Sequence, residues 1–339
     1  MKEKQIILKK RPCGIPSEEN FDMIEREVRE IMDGEVQIQT LFLSVDPYMR
    51  ERMTPMKSHM ESFGLKEVIT GTMIGKIMES KHPDFTEDDI VSGFLGWQEF
   101  PISNGTNIRK IEPLPVPYQA MLSVLGSPGL TAYFGLLDVG KPKSGETIVI
   151  SGAAGAVGSM VGQIAKIHGC RVIGISGSDD KNAYLVNELG FDGAINYKTE
   201  EDIEGELRKL CPDGIDIYFD NVGNEWINNI TKLINPFARI VLCGQISQYN
   251  GETPYIDPKI FGRITKNRAI MQGYLISGLD PQRSEAARSE IAQWILEGRI
   301  KYTETISDGL DSAPKALIDL FHGKNIGKQL VRLGSKIRS

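Results

Sequence analysis

Apolar and polar positions follow two different rhythms along this chain. In its middle, runs that are apolar along their whole length stand at TIVIS (147–151), RVIGIS (171–176), GAINY (193–197), IDIYFD (215–220) and ARIVLCG (238–244). Unbroken apolar runs of this length suit strands covered on both faces. Between them lie segments with helical spacing at 157–168, 179–190, 200–210 and 224–234. Strand starts at 147, 171, 193, 215 and 238 are 22 to 24 residues apart, the length of a strand, a short turn and a crossover helix. This cadence predicts an α/β architecture: a doubly wound parallel sheet, closed by a sixth strand in RAIMQGYLI (268–276).

The first ~125 residues differ. EVQIQTLFLSVD (35–46), EVITGTMIGKIMES (67–80) and DIVSGFLGWQEF (89–100) are strand candidates broken by Gly, Pro and Asn turns, with few helical periods. They predict an antiparallel, barrel-like β domain. The segment 312–333 reads as one amphipathic helix and one last strand that return to this first domain. The expected division is therefore 1–126 with 312–339 for the β domain and 127–311 for the parallel sheet.

Composition narrows the function classes. A chain of 339 residues with 40% hydrophobic and 25% charged residues and a net charge of −6 lacks the basic face that nucleic-acid binding requires. MKEKQIILKKRPCGIP lacks the apolar core of a signal peptide, and no run approaches the ~18 apolar residues of a membrane span. A cytoplasmic protein, free of membrane and nucleic acid, is expected. Cys13, Cys170, Cys211 and Cys243 form no CxxC pair, so neither a zinc knuckle nor a disulfide framework is suggested.

The candidate chemistry begins at TIVISGAAGAVGS (147–159), where the first strand of the parallel set runs into small residues. Gly152, Ala153, Gly155, Ala156 and Gly158 would let a pyrophosphate approach the amides at the N-terminus of the next helix. That helix places Val157, Val161, Ile164, Ala165 and His168 on roughly one face and ends at Gly169. AAGAVG is a variant of the dinucleotide fingerprint, and its place among successive βα units puts a ligand crevice at the strands' carboxyl ends. A phosphate-transfer loop would need Gly-Lys-Ser/Thr, and that Lys is absent.

The second strand ends in Gly177 and Ser178, with Lys181 just beyond, where an NAD enzyme usually places an acid. Lys181 could neutralise a 2′-phosphate and Ser178 could donate to it, which favours NADP. Alternatively Lys181 is a solvated helix residue, with Asp179 or Asp180 as the cap.

These segments carry a family likeness. AAGAVGS with GQIAK, GSDDKNAYL, FDGAINYKT, PDGIDIYFDNVG, ARIVLCGQISQYN, LEGRIKY, GKNIGK and SVDPYMR resemble successive signatures of the medium-chain dehydrogenase/reductases. Within that superfamily they are similar to the zinc-free branch of prostaglandin reductases and NADP-dependent alkenal/one (enone) reductases. The resemblance implies a GroES-like β domain built from both chain ends, a Rossmann domain, NADPH in the cleft between them, and a homodimer joined through the Rossmann domain, for which the 268–276 edge strand could pair with its copy. It also implies contacts. Gly155, Ala156, Val157 and Gly158 would hold the pyrophosphate, and Lys181 and Tyr197 would surround the 2′-phosphate, near Ser178. Asn221 would reach the ribose. Cys243, Gly244, Gln245, Ile246, Ser247 and Tyr249 would line the cofactor, while Tyr274, Leu275, Ile276 and Asn325 would flank the nicotinamide. Ser151-Gly152 and Gln245 depart from the family pattern, and Gln245 bears on the pocket wall.

Zinc alcohol dehydrogenases of the same superfamily need a Cys, a His and a further Cys or acid on the metal, a set this chain does not supply, so no metal is expected. Reducing a carbon–carbon double bond beside a carbonyl needs less: hydride to the β-carbon, a hydrogen bond to the enolate oxygen, and a proton to the α-carbon. Tyrosine, a donor at neutral pH, suits the second task. Tyr249 is the candidate enolate stabiliser, and Tyr48 the candidate positioning residue or proton source. An NADPH quinone reductase and a noncatalytic NADPH-binding sensor remain alternatives. Tyr255-Ile-Asp-Pro-Lys259 matches YxxxK, but Pro258 disfavours the helix that would align the pair. Cys243 reads as a small buried residue. Loops 52–66 and 249–262 are expected to shape the substrate pocket.

Overall fold

A computed structural model describes residues 1–55, 60–113, 115–251 and 253–334. The expected pocket loops 52–66 and 249–262 thus lie partly outside the described residues, at 56–59 and 252. The chain opens with β1 (Lys2–Leu8), β2 (Phe21–Glu27), β3 (Val36–Ser44), a one-turn helix α1 (Met49–Arg52), β4 (Thr70–Ser80), β5 (Ile90–Gly96), β6 (Ile102–Ser103) and β7 (Ile108–Lys110). Then come α2 (Ser127–Phe134), β8 (Thr147–Ser151), α3 (Ala156–Ile167), β9 (Arg171–Ser176), α4 (Asp179–Ala183), β10 (Gly193–Asn196), α5 (Ile203–Leu210), β11 (Ile215–Asp220), α6 (Trp226–Ile230) and β12 (Ile234–Leu242). The last elements are α7 (Lys259–Asn267), β13 (Ile270–Gly273), α8 (Pro281–Leu296), β14 (Glu304–Asp308), α9 (Ala313–Phe321) and β15 (Lys328–Arg332).

Two compact units share the chain. One holds Met1–Leu122, Glu304–Asn325 and the residues from Gln329 on; the other holds Ser123–Thr303 and Ile326–Lys328. In the first, β14, β15, β3, β4, β5 and β7 pair in that order, with β6 beside β3, and β1 and β2 form a separate antiparallel pair. The register of β3 against β4 shifts twice, a device that bends and twists an antiparallel sheet. Its inner face is an apolar core that includes Leu43, Met73, Trp97, Leu317 and Val331. This is the GroES-like antiparallel half of the fold.

The second unit is the Rossmann half, a parallel six-stranded sheet in the order β10-β9-β8-β11-β12-β13. All five residues of β8 are buried and so are the last five of β9, because helices cover both faces of a parallel sheet. Strand order reverses between β8 and β11, and the crevice for a ligand opens at the carboxyl ends there.

Four expectations need correction. The helix expected over 224–234 is only Trp226–Ile230, and β12 begins at Ile234 rather than 238, because Pro236 disfavours helical backbone at Asn235. The sixth strand stands at the edge of the sheet as expected but covers only Ile270–Gly273 of the 268–276 run, because Arg268 ends α7 in the left-handed region, at φ 51°. Helix α3 is buried all round its middle, from Gly158 to Ala165, while Val157 and His168 are partly exposed. It packs on the sheet and on α2, so no single apolar face is needed. The cap of α4 is Ser178, whose Oγ accepts from Lys181 N at 3.3 Å, rather than Asp179 or Asp180.

Candidate active site

The glycine turn follows from local sterics. Gly152 sits at φ +57°, a region other residues avoid. A Cβ on Gly158 would lie 2.5 Å from the Gly152 carbonyl oxygen, so the first turn of α3 can rest on the loop only if residue 158 is glycine. Gly155 is the N-cap, and the amides of Ala156, Val157 and Gly158 are left at the helix N-terminus without intrahelical acceptors. From far along the chain, Gly327 N donates to Ala154 O at 2.8 Å and adds a β-bridge to Gly155. The result is a cradle of bare main chain at a positive helix end.

Beyond β9, Gly177 lies against the ring of Tyr197, whose atoms come within about 3 Å of the position a Cβ on Gly177 would take, with Ser178 next in the chain. Tyr197 in turn packs on Trp226, with ring centroids 4.7 Å apart. Burial, and second the neighbouring Lys198 charge, push the Lys181 ammonium below the usual lysine range. Two cations, an aromatic face and a serine hydroxyl therefore converge on one turn. Ser178 keeps its hydroxyl proton to donate, since its oxygen is the helix-cap acceptor. Sequence reasoning missed Lys198; its signal was its place beside Tyr197 at the exit of β10. It also missed Gly327.

The ends of β8, β11 and β12 are laced together. Asp220, 2% exposed, takes the Ser151 hydroxyl at 2.7 Å and the amides of Val222 and Gly223 at 3.0 and 3.1 Å, all on Oδ1. Asn221 donates its amide nitrogen to Ser151 O and its backbone N–H to Ser151 Oγ. Cys243 and Gly244 donate to the Asp220 carbonyl, and Ser247 and Gln248 donate to the carbonyls of Val222 and Gly223. Gln245 is exposed and packs against Gly223, which stands at φ +70°. Tyr249 follows Gln248 and is half-buried.

Around these lie the remaining candidates. The Cys243 thiol is pushed up to about 12, by burial and then by Asp220, which leaves it unreactive. Tyr274 donates its backbone N–H to Leu242 O, while its ring packs with Leu130 and Phe134. Its hydroxyl is buried without a hydrogen-bond partner among the described residues. Leu275 is exposed and Ile276 partly so.

In the other unit, Tyr48 caps α1 and packs against the core. Burial pushes its phenol far up, Asp46 adds to this and Arg52 opposes it, so Tyr48 remains a hydrogen-bond donor. Asn325 is the residue before the segment that carries Gly327. Tyr255 precedes α7 and is exposed, so it is not on one helical face with Lys259.

Among the described residues no group of three or more His, Cys, Asp or Glu is placed to hold a metal ion, and no helix is long and apolar enough to cross a membrane.

Residues 4–111 match the family described as N-terminal domain of oxidoreductase, and 156–293 the family described as zinc-binding dehydrogenase. A putative NADP-dependent oxidoreductase, YfmJ of Bacillus subtilis, is 48% identical over 333 residues, covering 98% of each chain. The chain belongs to the prostaglandin reductase and alkenal/one reductase branch of the medium-chain dehydrogenase/reductases. In that branch, the NADPH-dependent curcumin reductase of Escherichia coli is 40% identical, covering 96% of each chain. The NADP-dependent 2-alkenal reductase of Nicotiana tabacum is 41% identical over 97% of this chain and 96% of its own. Among solved structures, CurA of Vibrio vulnificus in complex with NADPH superposes with a TM-score of 0.93 at 40% identity, covering 98% of this chain and 100% of that one. NADP is the family's cofactor, and the cradle and the Lys181–Tyr197–Lys198 cluster fit its two phosphate sites.

Proposed function

We propose that this protein uses NADPH to reduce the carbon–carbon double bond of α,β-unsaturated ketones or aldehydes, with no step that calls on a metal. The observation that carries the reading is the pairing of a bare helix N-terminus at Ala156–Gly158 with the cationic turn at Ser178, Lys181, Tyr197 and Lys198. The first takes the pyrophosphate and the second the 2′-phosphate. Relatives named for 2-alkenal and curcumin reduction support the substrate class.

NADPH, when bound, supplies the hydride that adds to the β-carbon. Asn221 and the 243–247 loop would line its ribose side, and Tyr274, Leu275, Ile276 and Asn325 would flank the nicotinamide. Tyr249 donates a hydrogen bond to the carbonyl oxygen, where negative charge collects as the enolate forms. Tyr48, kept protonated by burial, orients the enone as a hydrogen-bond donor; the same burial weakens it in its other candidate role, source of the proton that goes to the α-carbon.

The domain reading is 1–126 with 312–339 for the substrate domain and 127–311 for the nucleotide domain, supported by the nearby division of the two compact units. The protein acts as a cytoplasmic homodimer. Support for the dimer comes from β13, the edge strand of its sheet, with Phe261, Ile270 and Leu275 each more than half exposed nearby. Light scattering should give two copies, and Ile270→Lys should give one; a wild-type monomer at micromolar concentration rejects this.

The deciding assay follows NADPH oxidation with a panel of enones, enals, quinones and saturated ketones. Rapid turnover only with the enones and enals is expected. Quinone turnover alone would reassign the chemistry, and tight NADPH binding with no turnover would make the protein a sensor.

A further inference from the structure

We infer that Asp220, held by Ser151, is a positioning residue that sets where the 243–249 loop lies over the nucleotide crevice. The inference deepens the reading just given and rests on it, because Tyr249 ends that loop.

Two strand ends meet at this carboxylate, and the end of β12 meets the backbone carbonyl of the same residue. Oδ1 collects the Ser151 hydroxyl from β8 and the two amides of the turn that follows β11. Folding the 220–223 turn back onto its own carboxylate aims the Val222 and Gly223 carbonyls away from it. Those carbonyls are the anchors of the next loop. Ser247 Oγ reaches them at 2.8 and 3.0 Å, and Gln248 Nε2 reaches Gly223 O at 2.6 Å. The Asp220 carbonyl fixes the loop's other end by accepting from Cys243 N at 2.8 Å and Gly244 N at 3.1 Å.

The 243–249 loop is thus gripped at both ends by one four-residue turn, and the turn's shape is set by one buried side chain. Ser151 adds a second tie, since it also accepts the Asn221 backbone N–H and, through its carbonyl, the Asn221 side chain. Neither Asp220 nor Ser151 is exposed enough to touch a ligand, at 2% and 0%, so both act through the residues they hold.

The test compares Ser151→Ala, Asp220→Asn and Asp220→Ala by thermal midpoint, by NADPH affinity from fluorescence titration, and by kcat with an enone. Asn keeps an oxygen acceptor at the Oδ1 position, so Asp220→Asn should stay within about threefold of wild type. Ser151→Ala should weaken NADPH and lower kcat by roughly tenfold, and Asp220→Ala by more, in protein that remains folded at the assay temperature. In a Tyr249→Phe background, Ser151→Ala should still weaken NADPH but lower kcat no further.

The inference is overturned if the variants only melt earlier while affinity and kcat match wild type, or if Asp220→Asn is as damaging as Asp220→Ala. Should wild type bind NADPH yet reduce no enone, the proposed chemistry fails, while the affinity measurements still decide the role of Asp220.

Discussion

The two units build their candidate sites from different materials. The parallel unit rests one half of its site on main chain, helix amides at Ala156–Gly158 and a glycine turn, and adds a compact side-chain cluster at Ser178, Lys181, Tyr197 and Lys198. The antiparallel unit uses long side chains. Arg52, 8% exposed, lies 4.1 Å from the Phe63 ring centroid and donates to Glu61 O at 2.8 Å and Thr70 O at 3.1 Å. Arg11 donates to Met53 O and Phe63 O, and Arg50 to Gly14 O and the Thr54 hydroxyl. Three guanidinium groups thus pin the stem of the loop after α1, directly beyond Tyr48. A main-chain cradle suits a ligand common to every turnover, whereas side chains on a stapled loop can vary without disturbing the sheet.

Three substitutions break or sharpen that contrast. Tyr249→Phe, at the end of the main-chain loop, should lower kcat by about 10²–10³ with NADPH affinity within a few-fold, as for loss of one oxyanion donor; unchanged turnover in single-turnover assays removes it from the chemistry. Lys181→Ala should weaken NADPH by about 10–100-fold, the range for one charge-assisted bond, and leave NADH unaffected; equal losses for both nucleotides would refute the 2′-phosphate contact. Arg52→Met, in the antiparallel unit, should raise the KM for enones by roughly tenfold and lower the thermal midpoint, with NADPH affinity unchanged. A drop in NADPH affinity there would erase the distinction between the units.

The Lys181 shift adds a pH dependence. Its ammonium is held below the usual range, by burial and then by Lys198, so it loses its proton earlier than an exposed lysine as pH rises. Preference for NADPH over NADH should therefore fall on the alkaline side, below the pH at which an ordinary lysine titrates. Titrating both nucleotides across that range checks the sign.

The parallel sheet was legible because burial on both faces leaves unbroken apolar runs at a steady interval. The β1–β2 pair and helices α7 and α8 were not assigned beforehand. β2 is mostly exposed and carries four charged residues among its seven, FDMIERE, and α8 buries only Ser284, Ala287, Ile291 and Trp294 of its sixteen residues, so neither shows a strong pattern. At the site, the glycine turn was readable because absence of side chain is itself a signal. Lys198, Asp220 and Arg52 were not, because each takes its role from neighbours brought in by the fold: Ser151 stands 69 residues from Asp220.

Gly327 donates to Ala154 and bridges to Gly155, 172 residues earlier in the chain. A ribosome therefore exposes the nucleotide cradle long before it has made the strand that completes it. The cradle's last tie is among the most distant in sequence, so it should form late, after the six-stranded sheet has collapsed. During synthesis the cradle would stay open until that last tie forms.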